Sequence, residues 1–415
     1  MKNFFLKYQY PIAIIVIGLV CLHLLNYLLQ LDAQHLIYPD SEDYHSSAEK
    51  MFLKFTGHYY RPMLMAFITG LPYLFGSSYE GIYEWSFYVN VFCWLATSLL
   101  LFEIAKNFLN AKGAFLVALL PFFLVGNIAI NYHLLTEPLY TFFIVTAFYF
   151  LFRYYKTKQF LWLSLTLSLL LLSMLIKPGS KFLAIVFCLY FIKEWYQNYK
   201  TKSALLLYFS VLLIVIQVIG MRVQYGNFTL SYIDGVTYHN YLFSKSDCYR
   251  KGTEYHQINN PRADFIFGQI DFPHQKIVAV ADRNEQLQHN TLNVLKAYVS
   301  DVFDNTKSGN VCIQDLKNEK NKPYFENMKL FFFNVSKWQN RFFTLLGLAL
   351  ALWFVYRNYR SANPFAKMGF FIFYIIILSG VSCSQGDRFH LVTFPFVFLL
   401  GAYWLSEITK LVSKN

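Results

Sequence analysis

Five short groups of ionisable residues interrupt an otherwise apolar chain. They are Pro39-Asp40-Ser41-Glu42-Asp43-Tyr44, Tyr59-Tyr60-Arg61-Pro62, Thr136-Glu137-Pro138, Lys177-Pro178 and Gly386-Asp387-Arg388-Phe389-His390. Each stands at the end of an apolar run rather than inside one. Asp40, Glu42 and Asp43 are carboxylates of the kind that accept a proton from a nucleophile, and Arg61, Lys177 and Arg388 are fixed cations of the kind that steady a phosphate leaving group. Together these types make a site for an anionic head group presented at a membrane surface. A single charge beside a bilayer is accounted for by solvation or snorkelling; five groups on one side are harder to account for that way.

Other chemistry finds less support. The chain has no phosphate-cradling glycine loop, no Cys-x-x-Cys, no H-E-x-x-H and no G-x-S-x-G. His133 and Glu137 are four apart, a spacing that can share one helical face, but a divalent metal there would need further ligands that the sequence does not name. We therefore assign no metal site and no cofactor. For Glu137 the bland alternative is a helix start capped by Thr136, and for His390 it is a packing or hydrogen-bonding role at a helix end.

The elements that must position these groups follow from composition. The 415 residues are 56% hydrophobic and only 14% charged, too little charge to coat a soluble chain, for which about 25% is ordinary. The apolar residues form long runs that approach the roughly 20 residues needed to cross a bilayer as a helix. They are apolar all round, unlike alternating barrel strands. The expected fold is therefore all-α and polytopic, with about ten transmembrane helices at 10–31, 84–105, 113–129, 137–152, 160–176, 182–193, 203–220, 342–356, 368–380 and 391–408. The first run is too long for a cleavable signal and no small-x-small site follows it at Gln30 to Gln34, so it reads as a retained anchor.

The net charge of +12 is a matter of topology, because the basic residues form no basic domain and accompany no nucleic-acid motif. With the N-terminus inside, fifteen Lys and Arg fall in the short inside segments and six in the short outside ones, which favours cytoplasmic termini in an inner membrane. The expected organisation is a transmembrane module at 1–220 with a first outside loop at 32–83, an extracytoplasmic segment at 221–341, and C-terminal helices at 342–415. Within the loop, Tyr44, Ala48, Met51, Phe52 and Phe55 predict an interfacial helix, and Met63 to Phe75 is an apolar piece too short to span. The 221–341 segment balances fifteen basic against twelve acidic residues. Its β-like stretch Phe228 to Ile233 and helical stretch Asn284 to Phe303 predict a small α+β or irregular domain. Cys248 and Cys312, the two cysteines in it, are candidates for a disulfide.

The pattern Pro-Asp-Ser-x-x-Tyr-x-x-x-Ala over Pro39 to Ala48, followed by Arg61-Pro62 and Leu71-Pro72, resembles the first loop of C-type-fold (GT-C) membrane glycosyltransferases, among them protein O-mannosyltransferases and the aminoarabinose transferases of lipid A. Thr136-Glu137 and Arg388-Phe389 before Pro395 extend the resemblance over most of the membrane part but not over 221–341. It implies transfer of a sugar from a polyprenyl-phosphate carrier to a lipid, glycan or protein acceptor, with inversion. Asp40 would be the general base; Glu42 and Asp43 depart from the usual pattern and either could serve instead. Arg61, Lys177 and Arg388 would hold the carrier phosphate. Tyr44, Tyr59, Tyr60, Glu137 and His390 complete the expected substrate-binding set, with Tyr59 and Tyr60 suited to stack on a sugar ring. The rival readings are a lipid-linked saccharide flippase or transporter, which should carry ionisable residues at mid-membrane, and a polysaccharide polymerase or ligase of another fold.

Overall fold

The computed structural model describes residues 2–32, 39–358, 363–383 and 385–412; Arg360 and Lys414 of the charge count fall outside them. Among the described residues the chain is helical with no strand. The first part comprises α1 (Lys2–Leu29), α2 (Pro39–Leu53), α3 (Met63–Gly70), α4 (Tyr79–Ala105), α5 (Ala111–Leu119), α6 (Val125–Ala129), α7 (Glu137–Thr157), α8 (Phe160–Ser173), α9 (Lys181–Tyr190), α10 (Ile192–Asn198) and α11 (Ala204–Tyr225). Six shorter or polar helices follow: α12 (Ile233–Thr237), α13 (Phe243–Lys251), α14 (Pro261–Phe267), α15 (Phe272–His289), α16 (Thr291–Lys307) and α17 (Val311–Gln314). The chain ends in α18 (Phe325–Asn358), α19 (Pro364–Ser379), α20 (Arg388–Leu391) and α21 (Phe394–Val412).

The helix starts follow local chemistry. Asn110 accepts the Gly113 N–H at 2.8 Å and Asp271 that of His274 at 2.8 Å, while Pro138, Pro178 and Pro364 occupy first turns, where a missing N–H costs nothing. Every expected span contains a helix, and one apolar core runs through them. Among the described residues three helices are long and apolar enough to cross a membrane, Tyr8–Leu29, Tyr79–Ala105 and Ala204–Tyr225; a bent pair would make a fourth.

That bent pair corrects the expected straight span at 113–129. The chain turns by 69° between Ala111–Phe123 and Val125–Tyr132, because Pro121 removes a donor and Leu124 is extended. Gln339 on α18 repairs the break. Its Oε1 accepts the Val125 N–H at 3.0 Å and its Nε2 donates to the Phe123 carbonyl at 2.7 Å.

The expectations differ from the structure elsewhere too. The 182–193 run is two helices, α9 and α10, divided at Phe191. The last expected polar residues, from Phe325 on, already belong to α18. Phe228 to Ile233 is no strand: the Tyr232 N–H, which a ladder would have used, donates to the Tyr59 carbonyl at 3.0 Å, and the Ser231 hydroxyl donates to that of Tyr60 at 2.7 Å. Asn284 to Phe303 is divided at Asn290 between α15 and α16. Ala48 and Phe52 on α2 crowd Gly70 of α3, so that face of α2 is partly covered by protein; Phe55 falls beyond the end of α2 and is 87% exposed.

Cys248 and Cys312 are both free thiols. Cys248 is half-buried on α13, whereas Cys312 is sealed in the main core beneath Arg388 and Asp387, where burial pushes its thiol far up.

Gln339→Leu should leave the Val125 N–H and Phe123 C=O unpaired in an apolar setting, each worth about 1–3 kcal/mol. The expected result is a clearly lower thermal unfolding midpoint in detergent or nanodiscs; an unchanged midpoint would mean the break is held by something else.

Candidate functional site

Asp40 lies in the first turn of α2, and both of its oxygens are engaged. Oδ1 accepts from Arg61 Nη2 at 2.8 Å and Oδ2 from Arg388 Nη1 at 3.0 Å. One helical turn later Asp43 Oδ2 accepts from the same Arg61 Nη2 at 2.9 Å. The Arg61 guanidinium also sits 4.5 Å over the Tyr44 ring and donates to Tyr44 Oη at 3.4 Å. On the other side Arg388 Nη2 reaches Glu137 Oε1 at 3.1 Å, and Lys177 Nζ reaches that oxygen at 3.2 Å. The charges thus form one unbroken chain, Asp43–Arg61–Asp40–Arg388–Glu137–Lys177.

Local structure sets each member in place. His58 Nδ1 accepts the backbone N–H groups of Tyr60 and Arg61 at 3.1 and 3.2 Å. Burial, helped by the nearby Lys50 and Arg61 charges, drives the His58 pKa down to about 3, so Nδ1 remains a bare acceptor and the Arg61 backbone is fixed. Arg388 follows Gly386, whose φ of +60° and whose place beside the Gly309 carbonyl, 2.5 Å from where a Cβ would be, admit only glycine. Asp387 anchors the same turn: its carbonyl accepts from His390 and Leu391 N–H, and its Oδ1 accepts from Asn310 Nδ2 at 2.8 Å. Gly126 lets the backbone approach this carboxyl, since a Cβ there would lie 2.3 Å from Asp387 Oδ2.

The chain of charges lines a cavity of about 480 Å³. Burial disfavours ionisation of Asp40, but Arg388 and Arg61 together outweigh it and hold the carboxyl well below the usual carboxylate range. Asp387 has the opposite balance. Sealed from water, its carboxyl is pushed up to about 7 despite the Asn310 hydrogen bond and the Arg388 charge.

Asp40, Asp43, Tyr44, Tyr60, Arg61, Glu137, Lys177 and Arg388 all line the cavity. Three expected residues do not. Glu42 is exposed and lies toward Tyr83; Tyr59 stacks on Phe272 at 4.3 Å; and His390 is buried among Asn340, Thr344 and Ser379, its Nδ1 3.1 Å from both Asn340 Oδ1 and Thr344 Oγ1. His133 has extended backbone before α7, so it shares no helical face with Glu137, and Thr136 does not cap that helix. Among the described residues, no three His, Cys, Asp or Glu side chains gather as a metal site would require.

A further part of the cavity wall carries no pattern in the sequence. Asp234, Thr237, Asn240, Tyr241, Gln257 and Asn260 come from the 221–341 segment, and Lys181 joins it through an ion pair with Asp234. Their only signal in the sequence is polarity without period.

No family model and no curated protein matches the sequence. Among solved structures the chain is similar to the oligosaccharyltransferase AglB from Archaeoglobus fulgidus in complex with an inhibitory peptide and a dolichol-phosphate, at 12% identity and a TM-score of 0.48 over 98% of this chain and 51% of that one. It is also similar to ArnT from Cupriavidus metallidurans bound to undecaprenyl phosphate, at 12% identity and a TM-score of 0.42 over 94% of this chain and 78% of that one. Both are glycosyltransferases of the C-type fold. The chain spans about half the length of the oligosaccharyltransferase.

Asp387 has a pH signature. An unfolded aspartate titrates near 3.9, so between about pH 4 and pH 7 the folded chain keeps a proton the unfolded chain has lost, and stability falls as pH rises through that window. Asp387→Asn keeps the acceptor for Asn310 and removes the titration. It should raise the unfolding free energy at pH 8 by an amount on the order of a few kcal/mol, read as a higher midpoint, with the gain vanishing near pH 4. A gain of equal size at both pH values would rule out the ionisation.

Proposed function

We propose that this protein is a polytopic membrane glycosyltransferase of the C-type fold, with about ten spans and both termini in the cytoplasm. In this reading it moves a sugar from a polyprenyl-phosphate donor to a hydroxyl acceptor at the outer face of an inner membrane. The observation that carries the reading is that Arg61 of the first loop and Arg388 near the last helix meet on Asp40 inside one cavity, with Lys177 and Glu137 beside them. The 221–341 segment is the outer, acceptor-side part.

The donor phosphate binds to Arg388, Arg61 and Lys177 by charge-assisted hydrogen bonds. The acceptor oxygen attacks the anomeric carbon as the bond from that carbon to the phosphate oxygen breaks, with inversion. The acceptor proton goes to Asp40 and the leaving group is polyprenyl phosphate. A carboxylate clamped by two guanidinium groups is a feeble base. Withdrawal of Arg388 or Arg61 to the phosphate frees one Asp40 oxygen and raises its basicity, so the base becomes competent only with donor bound. The break in α5–α6 offers little to a transport reading, because Gln339 closes it and its residues do not line the cavity.

Asp40→Asn should bind undecaprenyl phosphate nearly as wild type while transfer from undecaprenyl-phosphate-linked sugars falls by about two to four orders of magnitude. Glu42→Gln, outside the cavity, should retain activity. If Asp40→Asn transfers normally and Asp43→Asn does not, the base is Asp43; if all three are active, the first-loop mechanism is wrong. Topology is tested separately: reporter fusions after Lys158, Lys202 and Lys367 should read cytoplasm and a fusion near Lys276 the outside. A cytoplasmic Lys276 would overturn the orientation and the outer placement of the site.

A further inference from the structure

The face that α16 turns away from the protein is apolar. Leu292, Leu295, Val299 and Phe303 recur at spacings of three and four residues and are 83%, 59%, 43% and 54% exposed. Lys296 and Lys307 flank this stripe, the latter 6.0 Å from the Phe303 ring centroid. The opposite face is packed: Val294 and Ala297 bury against Leu242 and Phe243, and Asp301 accepts from Lys245 Nζ at 2.6 Å. A helix with water on its free side would show polar residues there. This one shows a row of large apolar side chains edged by lysines.

The level of α16 relative to the membrane helices is fixed by hydrogen bonds. Tyr298 Oη donates to the Ile377 carbonyl at 2.7 Å, and Asn305 Nδ2 donates to the carbonyls of Ser379 and Ser382 at 2.9 and 2.7 Å. Asn340 Nδ2 in turn donates to the carbonyls of Asn305 and Ser308. Gly380 meets the same helix so closely that a Cβ would lie 2.6 Å from Tyr298. The helix is thus fastened where the apolar runs 342–356 and 368–380 have their ends. From there the exposed apolar surface continues onto Phe342 and Leu345 of α18 and Ile377 of α19.

We propose that α16 is an interfacial helix that seats the 221–341 segment on the lipid bilayer. Its apolar stripe lies in the boundary between head groups and acyl chains, and Lys296 and Lys307 reach toward anionic head groups. Continuity with the apolar surfaces of α18 and α19 favours lipid over a second copy of the chain, whose interface would have no reason to extend along those helices. The inference rests on the membrane reading of α18 and α19 and is independent of the chemistry in the cavity. It gives the segment a role beyond a polar cap: the wall carrying Asn240, Tyr241 and Asn260 is held at a fixed height above the membrane.

The unmodified full-length chain, in nanodiscs of phosphatidylethanolamine with a minority of phosphatidylglycerol, would be irradiated with a diazirine-bearing phospholipid and the labelled peptides mapped by mass spectrometry. Label on the 292–303 peptide, together with label on α18 and α19, is expected. Label on α18 and α19 alone overturns the proposal. In a cysteine-free background, nitroxides at Leu295→Cys and Val299→Cys should collide with oxygen in preference to an aqueous nickel chelate several-fold more than one at Glu254→Cys in an exposed loop. Equal nickel access at all three positions places the face in water. Exclusion of both reagents with spin–spin broadening between chains assigns it to a second copy. Either result ends the proposal, whatever the transfer assay shows.

Discussion

A charge held away from water must be answered by another charge, and this requirement ties the two ends of the chain together. Arg388 and Glu137 have side chains only 6% and 3% exposed, and neither is tolerable alone at that depth. Glu137 Oε1 serves both Arg388 and Lys177, and Arg388 completes its fork on Asp40, 348 positions earlier in the sequence. The three carboxylates Asp40, Asp43 and Glu137 match the three cations Arg61, Arg388 and Lys177. Removal of any inner member leaves each of its neighbours one partner short and the cluster out of charge balance. The chain of charges therefore acts as a register for packing, bringing α2, α7 and α20 together in one arrangement.

Around this chain, amide side chains do a second kind of joining. Gln339 closes the break between α5 and α6, Asn305 ties α16 to the end of α19, Asn340 in the middle of α18 takes up carbonyls at the end of α16, and Asn90 donates to the carbonyls of Asn131 and His133. In each case a flexible amide meets backbone groups left open where a helix ends or bends. Apolar packing alone cannot hold such ends in lipid, where an unpaired carbonyl has no water to turn to.

The parts legible in the sequence were those with a period or a boundary. Apolar runs marked the helices, and groups at the run ends marked Asp40, Arg61, Glu137, Lys177 and Arg388, because a charge has few stable places in such a chain other than an end. Helical geometry explains the miss at Glu42: two residues after Asp40 it is roughly 200° around the helix, so the two cannot face one cavity. Phe228 to Ile233 misled through composition, since β-branched and aromatic residues there pack against Tyr59 and Tyr60 instead of pairing. The break at Leu124 could not be seen because its remedy, Gln339, is 214 residues away from Val125. Asn240, Gln257 and Asn260 are single polar residues without spacing, and only the folded chain puts them in one cavity with Asp40.

In the resting cavity the charge chain is already balanced, and this bears on what the site favours along the proposed reaction. A sugar linked to a carrier phosphate brings one negative charge, which must compete with Asp40 and Glu137 for cations that are already engaged. As the bond to the anomeric carbon breaks, the phosphate becomes a monoester carrying close to two negative charges, while Asp40, on taking the acceptor proton, loses its own. Charge leaves the carboxylate and gathers on the phosphate. With the Arg61 backbone fixed by His58 and that of Arg388 by the Asp387 turn, only the two guanidinium groups need to shift from the carboxylate toward the phosphate to follow that transfer. Under the proposed reaction such a site would bind the transition state better than the ground state, since the same cations are only partly available before the proton moves and fully available afterwards.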